Sequence, residues 1–427
     1  MSSANHFDTT RRPDARAAHL LGVALLAAVP LLASCDDHDR DGCFDCVPHQ
    51  PVEGSHGVVA GNFRVSMLTP PAGGPHTSSV ITTSTVLYQS QFNPGYLKAY
   101  LATGTGAYAA PTLTAAGDNP LYLASEDLNG DGFLDVVSAS LDDGTLTVFF
   151  NNAQTPGTFN SPLVLASPGA SQMAIGDVNG DGLPDLVSAD YNVSLFVQTA
   201  PGTFASPVSL YSGGANWVAV GDLNDDGAAD IALSDQTGVK VLMHTGAASS
   251  TTFAAPVSVF TATVPGANLL AIVDVNGDGL DDLVITDPDA TDGQPSVYIL
   301  LQDAAHHGQF LTPVRYPTGT ASFPRSIVVQ DLDGDGHLDI VIGSKTDVSV
   351  LLQNGASPGT FKTAVDYPVS GADQVAIGDV NGDGIPDIIL PVGVSHPVVS
   401  GVVTNTPGVL LQVASSRGTF SALEDLP

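Results

Sequence analysis

The sequence predicts an all-β fold, a seven-bladed β-propeller whose blades are four-stranded and antiparallel. Three observations predict it. An acidic nine-residue segment recurs six times, 45 to 57 residues apart. An aromatic turn recurs seven times, 45 to 59 residues apart. The stretches between them are short β-branched runs with no 3.6-residue period, and four such runs per unit repeated in series is the pattern of propeller blades. The 45 glycines and 30 prolines suit a turn-dense chain of this kind.

The acidic segments are DLNGDGFLD, DVNGDGLPD, DLNDDGAAD, DVNGDGLDD, DLDGDGHLD and DVNGDGIPD. Position 1 is Asp127, Asp177, Asp222, Asp274, Asp331 or Asp379, and position 3 is Asn129, Asn179, Asn224, Asn276, Asp333 or Asn381. Position 5 is Asp131, Asp181, Asp226, Asp278, Asp335 or Asp383, and position 9 is Asp135, Asp185, Asp230, Asp282, Asp339 or Asp387. Oxygen donors on alternate residues of a tight turn suit Ca²⁺, which takes six to eight oxygens. The glycine at position 6 allows a sharp turn, so that the carbonyl at position 7 (Phe133, Leu183, Ala228, Leu280, His337 or Ile385) completes the set. About six calcium sites are therefore expected. An EF-hand is excluded, because it needs flanking helices and a glutamate at position 12. Here MAIG, VAVG or VAIG precedes the loop and DLVSA, DIALS or DIVIG ends it, which are strands of a hairpin.

Tyr108, Phe159, Phe204, Phe253, Phe310, Phe361 and Phe420 mark the aromatic turns, as in GTFNSP and GTFASP. Another strand lies between loop and aromatic, such as VSLFVQT or VSVLLQN. One unit is thus strand, acidic loop, strand, turn, strand, turn, aromatic strand. Seven turns against six loops leave one unit without a metal site, and it is the first. VVAGNF at Val58–Phe63 aligns with VAVGDL at Val218–Leu223, with Asn62 at position 1 and no acidic run after it. A Thr/Ser/Pro-rich insertion from about Thr69 to Ser90 lengthens this unit.

These units resemble the FG-GAP/VCBS repeats of bacterial surface proteins, related to the integrin α-subunit propeller. The resemblance covers about Ser55 to Pro427. It implies the propeller and the DxNGDGxxD calcium loops, and says little about activity, since one fold hosts many functions.

Residues 1–34 read as a lipoprotein signal peptide. Arg11, Arg12 and Arg16 precede an apolar stretch from Ala17 to Ala33, short for a membrane span and broken by His19 and Pro30. Leu32-Ala33-Ser34-Cys35 resembles the bacterial lipobox, which implies lipidation of Cys35, a membrane anchor, and a periplasmic or cell-surface location. Residues 35–54 read as a polar tether, and 55–427 as the propeller. Cys43 and Cys46 form a lone CxxC; in an exported protein a local disulfide is the favoured reading, against a metal site with His38 and His49 or a redox pair.

The formal net charge is −32, and 19 of the 44 acidic residues lie at positions 1, 3, 5 and 9 of the loops. Carboxylates a few ångströms apart repel, so calcium is expected to be a folding component. The extra carboxylate of Asp333 is expected to tighten the loop that starts at Asp331. Only nine basic residues follow the signal, scattered along the chain, which excludes nucleic acid as a partner. No GxSxG, HExxH or phosphate-cradling glycine loop occurs. His306 and His307 read as a solvated turn, Asp287, Asp289 and Asp292 as an acidic turn, and Trp217 as core or channel lining. The functional expectation is an exported binding or adhesion module for a protein or glycan partner. The alternative is a polysaccharide lyase or hydrolase using the central channel.

Overall fold

The second strand of each unit explains the architecture. Asp135–Ser140, Asp185–Ala189, Asp230–Asp235, Asp282–Asp287, Asp339–Ser344 and Asp387–Leu390 are buried at every residue. A strand that is apolar on both faces needs cover on both faces, and in a ring of sheets the neighbouring blades supply it. The computed structural model describes residues 53–61, 79–88, 91–92, 94–104, 107–118, 120–152, 154–155, 158–189, 191–246, 250–262, 268–288, 294–319, 324–344, 346–369, 372, 374–391 and 407–426.

Six antiparallel four-stranded sheets follow one another, numbered here two to seven by repeat unit. Blade two runs Pro120–Glu126, Asp135–Ser140, Thr145–Phe149, Leu163–Ala166, from axis to rim. Blade three is Gln172–Gly176, Asp185–Ala189, Val193–Phe196, Val208–Tyr211, and blade four is Trp217–Gly221, Asp230–Asp235, Gly238–Leu242, Val257–Thr261. Blade five is Leu270–Val273, Asp282–Asp287, Ser296–Leu300, Val314–Pro317. Blade six is Pro324–Gln330, Asp339–Ser344, Asp347–Leu351, Val365–Pro368, and blade seven is Ala376–Gly378, Asp387–Leu390, Gly408–Leu410, Glu424–Asp425. The outer strands are edges, and Val164, Val208, Val257, Val314 and Val365 are exposed there.

The expected count of seven four-stranded blades is corrected to six. The first unit instead forms a five-stranded sheet of Glu53–Gly61, Ser79–Tyr88, Pro94–Tyr100 and Thr112–Asp118, with Gln91–Phe92 paired on Ser79–Tyr88. The segment expected as an insertion carries that long second strand. Val80–Ser84 pairs with the third strand, while Leu87 and Tyr88 run on and turn back in a short hairpin with Gln91 and Phe92. VITTSTVLY is rich in β-branched residues, so the strand continues past its partner. Each inner strand packs against the next around the axis, and Glu53–Gly61 lies against both Ala376–Gly378 and Pro120–Glu126, closing the ring.

A second correction concerns the aromatics. They sit in the turn before the fourth strand rather than in it: Phe159, Phe253, Phe310, Phe361 and Phe420 each form an isolated bridge to a residue just after the third strand. Phe361 and Phe420 reach the preceding blade, with ring centroids 5.5 Å from Tyr316 and 5.6 Å from Tyr367. These edge contacts tie blade to blade.

Five residues before loop position 1, at or near the start of the inner strands of blades two to seven, stand Tyr122, Gln172, Trp217, Leu269, Ser326 and Gln374, all at most 4% exposed. Tyr122 and Trp217 meet edge-on at 6.2 Å, which joins blade two to blade four past blade three. Gln374 Nε2 donates to the Leu121 carbonyl at 2.8 Å, joining blade seven to blade two past the first sheet. Contacts between non-adjacent blades mean that side chains fill the axis at this end. Gln172 binds Val218 twice, donating to its carbonyl at 3.0 Å and accepting from its N–H at 2.8 Å. Gln172→Leu leaves both groups buried without that partner and should cost about 2–4 kcal/mol in urea unfolding at unchanged slope. A loss within about 0.5 kcal/mol would show that the clamp is dispensable.

Candidate metal centres

Each acidic loop joins the inner strand to the second strand, so all six lie at the same end of the barrel of inner strands, opposite the filled end. Their backbones share one geometry. Gly132, Gly182, Gly227, Gly279, Gly336 and Gly384 at position 6 have φ between 80° and 91°, a region open to glycine. Position 4 is also left-handed, and there Asp225 of blade four is the non-glycine, at φ 57°.

The loop is tied by its own N–H groups. The position-1 carboxylate accepts from the position-6 N–H at 2.7–3.0 Å in all six blades. In five it also accepts from position 5, at 3.0–3.2 Å. The position-3 oxygen takes the position-5 N–H, and the position-5 carboxylate takes the N–H of Phe133, Leu183, Ala228, Leu280, His337 or Ile385. These donors offset part of the repulsion that the sequence alone implies. In blade six the carboxylates of Asp331, Asp333 and Asp335 converge, with ligand oxygens within 4.8 Å of one another. An all-oxygen set at that separation fits Ca²⁺, with Ca–O distances of about 2.3–2.6 Å.

The position-9 acids occupy a different place. Asp135, Asp185, Asp230, Asp282, Asp339 and Asp387 are at most 1% exposed. One oxygen accepts from the position-2 N–H at 2.9–3.1 Å. The other accepts from the N–H of the second residue after the third strand at 2.6–2.8 Å. Asp339 is not part of the blade-six cluster. Each carboxylate therefore pins the start of its loop to the blade's third strand, and each oxygen keeps a second lone pair.

The residue that answers this clamp is Asn151, Gln198, His244, Gln302, Gln353 or Gln412, and the repeat reading missed it. Its signal is in the sequence: in four blades an amide side chain stands eight residues before the aromatic. Gln198, Gln302, Gln353 and Gln412 donate to the position-8 carbonyl of their own loop. Gln353 and Gln412 also donate to Val275 and Leu332, the position-2 carbonyls of the preceding blade. Gly202 N–H binds Leu128 O in the same way at 2.9 Å, and Tyr108 Oη binds Val380 O at 3.2 Å, which closes the circle from the first sheet to blade seven.

The FG-GAP-like repeat family matches residues 127–188, 177–233, 274–342 and 331–390, more than half of the chain. The chain belongs to that family. No curated protein matches this FG-GAP chain. Among solved structures, an Agrocybe aegerita lectin that recognises non-reducing terminal N-acetylglucosamine is 19% identical, covering 74% of this chain and 80% of that one at a TM-score of 0.48. A Lactobacillus plantarum protein is 13% identical, with 76% and 98% covered at 0.46. A Photorhabdus luminescens Tc holotoxin pore is 16% identical, with 75% and 17% covered at 0.36. At these identities and scores none of the three speaks to function.

Other singled-out residues fall as follows. His306 is exposed and pairs with Asp303 at 2.8 Å, and His307 lies 3.9 Å from Asp225. Asp287 is buried at the end of its strand, while Asp289 and Asp292 lie outside the described residues. Cys35, Cys43 and Cys46 also lie outside them. Among the described residues no helix is long and apolar enough to cross a membrane.

Burial, with smaller contributions from neighbouring loop carboxylates, pushes Asp135, Asp185, Asp230 and Asp282 up from 3.8 to about 7. Asp339 and Asp387 rise to about 6, again chiefly through burial. A carboxyl with a raised folded-state pKa binds protons more readily folded than unfolded. The metal-free FG-GAP propeller should thus gain stability as pH falls from 8 toward 5. Calcium needs the ionised loop and opposes this trend. Melting in EDTA should rise on acidification and, at pH 7.5, lie well below melting in millimolar Ca²⁺. Identical melting with EDTA and with Ca²⁺ at pH 7.5 would remove these loops from the stability argument.

Proposed function

We propose that this FG-GAP propeller is an exported, calcium-binding, lipid-anchored binding module that presents its surface to a protein or glycan partner. The observation that carries the reading is the filled axis. Tyr122, Trp217, Gln172 and Gln374 occupy the end where the inner strands begin, and they are buried against one another and against the strands. A lyase or hydrolase working through the channel needs a concave site there with convergent ionisable groups. The ring carries none: its members are aromatic, amide, aliphatic and hydroxyl side chains. Recognition then belongs to the loops at the two ends of the sheets, which the blades hold rigid.

Calcium supports this role by stiffening the acidic loops. Pre-ordered loops lose less entropy on binding, so affinity should depend on the ion even where the ion does not touch the partner. A screen of glycan and surface-protein arrays with the mature chain should give hits in millimolar Ca²⁺ that fade in EDTA. Hits indifferent to EDTA, or turnover of a polysaccharide by the purified chain, would overturn the reading.

The anchor rests on Leu32-Ala33-Ser34-Cys35 after the basic and apolar stretches. The mature chain should begin at Cys35 and partition into detergent. Cys35→Ser should leave it unprocessed or in the aqueous phase. Membrane retention of Cys35→Ser without acylation would favour an uncleaved signal anchor.

A further inference from the structure

The loop of blade six differs from the other five in two ways at once. It alone has a carboxylate at position 3, Asp333, and the carboxylates of Asp331, Asp333 and Asp335 converge there. It also has a cation beside it. Arg417, in the aromatic turn of blade seven, donates from Nη1 to the Asp333 carbonyl at 3.2 Å. The same nitrogen would clash with a Cβ on Gly334, so the guanidinium rests on the loop backbone and uses the space that glycine leaves. One of the nine basic residues after the signal thus attends this loop.

We infer that Arg417 is a tethered counter-ion that holds down the divalent-cation affinity of the blade-six loop, offsetting the added charge of Asp333. The inference rests on the calcium reading of these loops and concerns how one of them is tuned. A fixed positive charge near a cation site repels the incoming ion, while it partly neutralises the carboxylates in the empty loop. Both effects lower affinity. Arg417 is exposed to water and Asp333 half-buried, so the effect is a modest, salt-screened one, about three- to tenfold at low ionic strength. Because Arg417 belongs to blade seven, the affinity of one blade's loop depends on its neighbour's turn.

Six similar loops demand a site-resolved readout. Hydrogen–deuterium exchange of the peptide containing Asp331 to Asp339, followed against Ca²⁺ concentration, gives a midpoint for this loop alone, and the other five loop peptides serve as internal references. Arg417→Gln should move the blade-six midpoint to about three- to tenfold lower Ca²⁺ in low salt, with the difference shrinking in about 0.5 M salt. The reference midpoints should not move. Arg417→Lys keeps the charge without the guanidinium fork and should behave as the wild type. An unchanged or raised midpoint in Arg417→Gln overturns the inference, as does an Arg417→Lys variant that matches Arg417→Gln. Wild-type protein whose six peptides show no response to Ca²⁺ overturns the calcium reading together with the inference. A response in all six with no shift in the variant overturns the inference alone.

Discussion

The structure depends most on a buried carboxylate that is repeated six times. At position 9 of each loop an aspartate is removed from water and satisfied by two backbone N–H groups, one at the start of the loop and one beyond the third strand. A buried ionised group without such partners would cost far more than a hydrogen bond returns. The arrangement is therefore all or nothing: the loop, the second strand and the end of the third strand must form together for the acid to be tolerated. Position 9 is also the first residue of the buried second strand, so the clamp fixes the register of each blade. One residue type at one place links the loop chemistry to the blade packing.

The second layer of the argument runs between blades. The side chain or N–H that follows the third strand reaches back to the position-2 carbonyl of the preceding loop, as Gln353 does to Val275 and Gln412 to Leu332. Tyr108 does the same for Val380, so the first sheet, which has no acidic loop, still supplies the turn that blade seven requires. In a linear array of repeats the end units would leave such carbonyls exposed. In a ring every loop has a neighbour, and stability is a property of the closed circle.

Much of the fold was legible because its signals are periodic. The acidic loops, the aromatics and the β-branched runs recur together about every 50 residues, and burial on both faces of the second strand shows in sequences such as DLVIT and DIVIG. The first sheet was harder to read, since its strand Ser79–Tyr88 lies in a Thr/Ser-rich stretch that resembles a loop by composition. The amide after the third strand escaped notice because Gln198 breaks its spacing and His244 both its identity and its spacing, although both present the same backbone N–H to the acid. A backbone donor leaves little trace in sequence. The division of labour among the loop acids was invisible for the same reason: positions 1 and 9 are both aspartate, and only the fold distinguishes the rim from the core.

The charge of the chain makes sense in this light. A formal −32 looks hostile to compaction, yet the six most buried loop acids face amide donors and every position-1 carboxylate is held by the N–H groups of its own turn. The remaining oxygens point to one end of the propeller, opposite the end filled by Tyr122 and Trp217. The two ends thus differ in kind, one filled by buried aromatic and amide groups and one ringed by oxygen donors. On the calcium reading proposed above, a divalent ion would change only the second, and it would act on loops whose far ends are already pinned by the position-9 clamp. Cation uptake on that reading would stiffen the loop face without rebuilding the blades beneath it.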